Sequence, residues 1–145
     1  MKFMQKKKIN KDDFNPITAQ KIGFPQMDII DLSNYARHNG GYKFILILVD
    51  IKSRMGFIQP LKTKTANEVY EAFLKISYAF EHNRTPIYAI YSDKGSEFNK
   101  IKDNQKNLNF RMFFKQTKTY RGTGIVDKLF FNIFSLIASC VVIFL

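Results

Sequence analysis

Aspartates carry the clearest chemical signal in this chain of 145 residues, and Asp93 is the most informative of them. It stands in the run Tyr91-Ser92-Asp93-Lys94-Gly95-Ser96-Glu97-Phe98, directly after the apolar segment 86–90. Metal-dependent phosphoryl-transfer enzymes hold a divalent cation with a carboxylate of this kind, at the end of a buried strand and beside a turn that glycine permits. The same pattern is typical of a plain strand-to-turn junction. Asp93 therefore indicates a metal site only together with other carboxylates.

The composition predicts a single domain with a polyanionic partner. Apolar residues make up 46% of the chain, which is enough for a core and excludes a disordered protein. Lysine and arginine number 23 against 12 acidic residues, a net charge of +11. Such an excess most often indicates nucleic acid, although a merely soluble basic protein would show it too. One cysteine and two histidines exclude a disulfide framework and a zinc module.

The distribution of basic and apolar residues divides the chain into three parts. Residues 1–23 are polar and basic and predict an N-terminal arm or linker, residues 24–128 a core domain, and residues 129–145 an apolar tail. The segment from Lys94 to Lys128 contains nine basic residues and three acidic ones. Candidates for contacts with a phosphate backbone are Lys94, Lys115, Lys118 and Arg121, and each could equally be a solvated surface charge.

The order of hydrophobic patterns predicts a mixed sheet covered by helices. Strands are expected near residues 27–32, 44–49, 55–59, 87–92 and 110–114, the second after a hairpin turn at 38–41 and the third stopped by Pro60. A capping box at Thr65-Ala66-Asn67-Glu68 predicts one helix, and Ser96 is expected to cap a second, basic one that ends near residue 106. This order is the ribonuclease H-like arrangement, an α/β fold with a mixed five-stranded sheet and flanking helices.

That arrangement makes strands one and four parallel neighbours. Asp28 in strand one and Asp93 at the end of strand four would then converge on one metal pair. Asp31 competes with Asp28 for this role. Because three residues along a strand lie on opposite faces, only one of the two can point at the site.

Four segments, in order, carry a resemblance to a known family. They are Pro25-Gln26-Met27-Asp28, residues 41–53, Pro60-Leu61-Lys62-Thr63-Lys64-Thr65 and Ser92-Asp93-Lys94-Gly95-Ser96-Glu97-Phe98. They resemble the first-aspartate motif, the second strand and turn, the strand-to-helix link and the second-aspartate motif of retroviral-type integrase catalytic cores. The likeness is greatest to the integrases of retrotransposons and of Polinton or Maverick-type DNA transposons, and it covers residues 24–128.

The third metal ligand is where the chain departs from that family. The family has a glutamate in a Gly-aliphatic-Val-Glu context, and the chain has Gly124-Ile125-Val126-Asp127. Aspartate is shorter by one methylene, and a misplacement of about 1 Å can cost about a hundredfold in rate. Beyond Asp127 the resemblance stops, and Phe130 stands where the family has asparagine.

The resemblance implies metal-dependent DNA strand transfer, in which a DNA 3′-hydroxyl attacks a target phosphodiester. Asp28, Asp93 and Asp127 would be the catalytic residues and the ligands of Mg²⁺ or Mn²⁺, since all-oxygen ligation suits these ions. DNA is the implied partner, with a homo-oligomer left open, and the nucleus the implied location.

The apolar tail leaves other functions open. Residues 129–145 contain only three polar residues, Asn132, Ser135 and Ser139, but a membrane span needs about 20 residues. The tail could be a buried helix, a tail anchor, or the product of a frameshift or truncation in a decaying element copy. The abrupt change from a basic to an apolar helix favours the third reading. The alternatives to an active integrase are therefore an inactive nucleic-acid-binding remnant and a tail-anchored protein whose basic face meets anionic lipid.

Overall fold

The computed structural model of the chain describes residues 19–114, which form an α/β fold. The strands are β1 (Pro25–Asp31), β2 (Phe44–Asp50), β3 (Gly56–Leu61), β4 (Ala89–Ser92) and β5 (Arg111–Phe114). The α-helices are α1 (Ala66–His82) and α2 (Asn99–Asn104), and short 3₁₀ helices cover Ser33–His38 and Ser96–Phe98.

The five strands form one mixed sheet in the order β3-β2-β1-β4-β5. β1, β2 and β3 are joined as antiparallel neighbours, while β4 lies parallel to β1 and β5 lies parallel to β4. The predicted five-stranded mixed sheet with flanking helices is confirmed, and its strand order agrees with a ribonuclease H-like arrangement. The crossover through α1 makes the parallel β1–β4 pair possible, since parallel neighbours need a long connection.

β2 is buried on both faces of the sheet, as its uninterrupted apolar run predicts. Leu46 and Leu48 point to the face that α1 covers and join the main core there. Ile45, Ile47 and Val49 alternate with them and form a second buried cluster on the opposite face. Side chains alternate between the two faces along β2, so each residue of β1 or β3 lies on the same face as its partner in β2.

α1 begins at the predicted capping box and packs on the sheet through a helical stripe. The Thr65 hydroxyl accepts the backbone N–H of Glu68, at 3.4 Å. The Glu68 carboxylate reaches back past the cap and accepts the N–H groups of Lys62 and Thr63, at 2.6 and 2.9 Å. The buried stripe is the predicted one: Val69, Ala72, Phe73, Ile76 and Phe80. Helix start and preceding link are therefore held as one unit.

Two element boundaries differ from the prediction for physical reasons. Pro60 does not stop the third strand but lies inside β3, opposite Ile45. A proline is accommodated there because β3 is an edge strand of the sheet. Ser96 does not cap a long helix: it opens a 3₁₀ turn without a side-chain cap, and the short helix α2 starts only at Asn99. Phe98, fully buried, anchors that turn to the core.

Asp50 joins the end of β2 to the segment that enters β1. Its Oδ2 accepts the N–H groups of Gly23 (2.7 Å) and Phe24 (3.0 Å), 27 and 26 residues away in sequence. Its Oδ1 accepts the N–H and the hydroxyl of Ser53, both at 2.8 Å, and the N–H of Lys52 at 3.2 Å. Burial alone would raise the pKa of this carboxyl, but the hydrogen bonds from Ser53, Gly23 and Phe24 outweigh it and lower the pKa.

No helix within residues 19–114 is long and apolar enough to cross a membrane. The apolar segment 129–145 lies outside the described residues, so its three readings stay predictions.

Candidate active site

The parallel register of β1 and β4 brings Asp28 level with Asp93. Gln26 is the partner of Tyr91 in this pairing, and two residues further along each strand stand Asp28 and Asp93. Adjacent strands lie about 4.8 Å apart, and residues two apart on a strand share a face. Because β4 ends at Ser92, Asp93 is the first residue beyond the strand. The two aspartates therefore belong to neighbouring strands and stand at the same level along the sheet.

Asp28 belongs to the face of the sheet that lies away from α1. It is opposite Ile47, a member of the second buried cluster, and is half-buried. Its Oδ1 accepts the N–H of Ile29 at 2.8 Å. A carboxylate on a rigid central strand is positioned with little freedom, as a metal ligand requires.

Asp31 lies on the other face, as the alternation predicts. It is opposite Phe44, which packs against the α1 side of the sheet. Its exposed carboxylate accepts the hydroxyl and the N–H of Ser33, at 2.5 and 2.9 Å. Those hydrogen bonds from Ser33, the hydroxyl first, lower the pKa of Asp31. Asp31 is thus engaged by Ser33 at the start of the 3₁₀ turn that follows β1, on the face of the sheet that α1 covers.

Asp93 has a raised pKa, although its side chain as a whole is exposed. Partial desolvation of the carboxylate is the main cause and the negative charge of Glu97 the second, while the N–H of Gly95 works in the opposite direction. The Glu97 carboxyl folds over Gly95, where a Cβ would lie only 2.5–2.7 Å from its atoms. Two like charges held close together favour a bound cation, which would stabilise both ionised forms.

The remaining predicted site residues divide into those inside and those outside the described part. Lys94 is exposed, next to Asp93. Asp127, Lys115, Lys118 and Arg121 lie outside the described residues. Within residues 19–114 no three histidine, cysteine or acidic side chains form a group that could hold a metal ion. The oxygen-only donors Asp28 and Asp93 fit Mg²⁺ or Mn²⁺ in kind, and a third ligand such as Asp127 would have to come from beyond them.

Two lysines that the sequence did not identify as site residues also lie near the candidate site. Lys62 and Lys64 lie in the link between β3 and α1, at the sheet edge where Asp93 stands, and both are exposed. One signal in the sequence could have identified them: two alternating lysines just before a helix cap, in a chain with a large basic excess. Their position relative to Asp93 depends on strand directions that no local pattern encodes.

Comparison with known proteins gives an indication of where the chain comes from. No protein-family model matches the chain. Over 67 residues it is 42% identical to an uncharacterised transposon-derived protein of Caenorhabditis elegans, a match that covers 46% of this chain and 22% of the worm protein. The chain thus spans less than a quarter of that relative's length. This similarity indicates a transposon-related origin for a protein whose fold is an α/β sheet of ribonuclease H-like order.

Proposed function

We propose that this protein is the catalytic core of a mobile-element integrase, which joins DNA ends to target DNA by metal-dependent strand transfer. The observation that carries the proposal is the β1–β4 register, which brings Asp28 level with Asp93. The ribonuclease H-like strand order, the excess of basic residues and the similarity to a transposon-derived protein support it. Action on chromosomal DNA would place the protein in the nucleus.

In this proposal Asp28, Asp93 and Asp127 would hold Mg²⁺ or Mn²⁺. The bound ions would supply activation of the attacking 3′-hydroxyl and charge stabilisation at the leaving oxygen. Asp28 contributes a carboxylate fixed by a central strand, and Asp93 one that sits beside the second negative charge of Glu97. Lys94, Lys115, Lys118 and Arg121 would orient the DNA backbone through contacts with its phosphates.

A catalytically inactive, DNA-binding remnant of the same fold is the second candidate. Asp127 in place of the family's glutamate favours it, because the shorter side chain would misplace the third ligand. The two candidates share the fold and the basic surface, and they differ in whether phosphodiester chemistry takes place.

An oligonucleotide assay with Mg²⁺ and with Mn²⁺ separates them. The full chain should nick or join labelled DNA, and Asp93→Asn should lower the rate at least about a hundredfold, since bound metal supplies several kcal/mol of charge stabilisation. Asp31→Asn is the matched control, because Asp31 is an exposed aspartate on the opposite face of β1. No metal-dependent product from the native chain would favour the remnant, and equal losses in both variants would contradict the assigned site.

A further inference from the structure

The link between β3 and α1 lies at the same edge of the sheet as the candidate active site. β1, β3, β4 and β5 all run in one direction, so their carboxyl ends share one edge. The link, residues 62–65, follows β3 at this edge, and Asp93 follows β4 there. From β3 to β4 there are three strand spacings, roughly 14 Å in all.

Hydrogen bonds to one carboxylate hold the backbone of this link. Glu68, in the first turn of α1, accepts the N–H groups of Lys62 and Thr63 and also the Thr63 hydroxyl. Thr65 closes the unit as the helix cap. Lys62 and Lys64 are therefore presented from a backbone that is ordered before any partner arrives, which reduces the entropy cost of binding.

Aromatic rings hold the two lysine ammonium groups at the edge. The Nζ of Lys62 lies 5.4 Å from the centre of the Tyr42 ring, and the Nζ of Lys64 lies 4.8 Å from that of Phe44. A cation–π contact orients an ammonium group without neutralising its charge. Both lysines are exposed, so their N–H donors stay accessible to an anion.

We propose that Lys62 and Lys64 bind the phosphate backbone of DNA that crosses this edge of the sheet towards Asp93. The inference rests on the proposed function, since it takes DNA as the partner, and it adds a second set of phosphate contacts to the one proposed for Lys94. Two ordered ammonium groups of equal sign suit a polyanion rather than an isolated acidic side chain.

The test compares two pairs of substitutions that remove the same charge from the full chain. Lys62→Gln with Lys64→Gln changes the link, and Lys52→Gln with Lys75→Gln changes two exposed lysines elsewhere, one in the β2–β3 turn at the opposite edge and one on α1. Binding of a fluorescent DNA duplex is measured by anisotropy over a series of salt concentrations. The link pair should reduce the slope of log K against log salt by about 1.8, or 0.9 for each of two phosphates, whereas the control pair should leave it unchanged. Lys62→Arg with Lys64→Arg should restore the native slope.

Each result decides between the two proposals. Equal effects of the two glutamine pairs, or an unchanged slope in the link pair, overturn the lysine inference even if metal-dependent nicking persists. Binding that follows the expected slopes without any nicking overturns the catalytic proposal and supports the lysine contacts. A native chain that binds no DNA overturns both.

Discussion

Gln26 of β1 lies opposite Tyr91 of β4 in a parallel register, and this pairing determines where the candidate site lies. If the pairing slipped by one residue, Asp28 would be level with a neighbour of Asp93. Asp28 and Asp93 would then belong to opposite faces of the sheet. Tyr91 also pairs with Phe113 of β5, and their rings stack with centres 5.5 Å apart. The register that aligns the two aspartates is thus continued by an aromatic contact in the next strand.

We expect Mn²⁺ to stabilise the native chain through these two aspartates. At a free concentration of one hundred times Kd, a ligand that binds only the folded state adds about 2.7 kcal/mol to the free energy of unfolding. Asp28→Asn and Asp93→Asn should each abolish most of this gain, and Asp31→Asn should keep it. Thermal unfolding with and without Mn²⁺ measures the effect. An equal loss in Asp31→Asn would mean that the metal binds elsewhere.

Lengthening the third carboxylate should increase strand transfer. Asp127→Glu restores the methylene that separates this chain from the integrase pattern, so we expect a gain of about tenfold to a hundredfold in joining rate. Asp103→Glu is the control, since it makes the same chemical change at an exposed position of α2. Native activity that Asp127→Glu does not improve would show that the shorter ligand is tolerated.

Asp50→Asn should destabilise the fold strongly. Both carboxylate oxygens accept backbone N–H groups, so an amide NH₂ would face a donor in either orientation. We expect a loss of about 2–4 kcal/mol in the free energy of unfolding, from urea denaturation. Asp31→Asn, at an exposed position, should cost less than about 1 kcal/mol. Similar costs for the two would contradict the role assigned to the buried carboxylate.

The lowered pKa of Asp50 predicts a specific dependence of stability on pH. A carboxyl with a lowered pKa in the folded state contributes fully above its unfolded value of about 3.9 and loses its contribution as pH falls through the folded value. The urea midpoint should therefore fall as the pH is reduced from about 5 to about 2. Asp50→Asn should flatten this fall, though Asp31 and Glu68 preserve part of it, because their pKa values are also lowered. An identical pH profile in Asp50→Asn would refute the assignment.

Gly23→Ala should cost more stability than Gly40→Ala. Both glycines have positive φ, 95° and 61°, which costs an alanine about 1–2 kcal/mol. At Gly23 an added Cβ would also lie 2.3 Å from the carbonyl oxygen of Pro86, whereas nothing lies within 4 Å at Gly40. We expect the excess to be at least about 1 kcal/mol, measured by urea unfolding. Equal losses of stability in the two variants would mean that the segment before β1 shifts to accommodate the added Cβ and keeps its hydrogen bonds to Asp50.

Elements encoded by consecutive residues were predictable from the sequence. The apolar run of β2 and the capping box with its helical stripe in α1 each contain their own signal, and both appear where predicted. The boundary errors at Pro60 and Ser96 have a different origin. Whether a proline can remain in a strand depends on whether that strand is an edge, and whether a serine caps a helix depends on how the following Phe98 packs.

The sequence by itself determined which carboxylates stand on β1 and after β4, and that Asp28 and Asp31 must point to opposite faces. Those facts follow from the strand period of two, which is a local property of the backbone. Only the tertiary structure decided that Gln26 pairs with Tyr91, that Asp50 binds Gly23, and that the Lys62–Lys64 link shares an edge with Asp93. These relationships join residues distant in sequence, and they are set by how the sheet and α1 pack together, for which the chain carries no local signal.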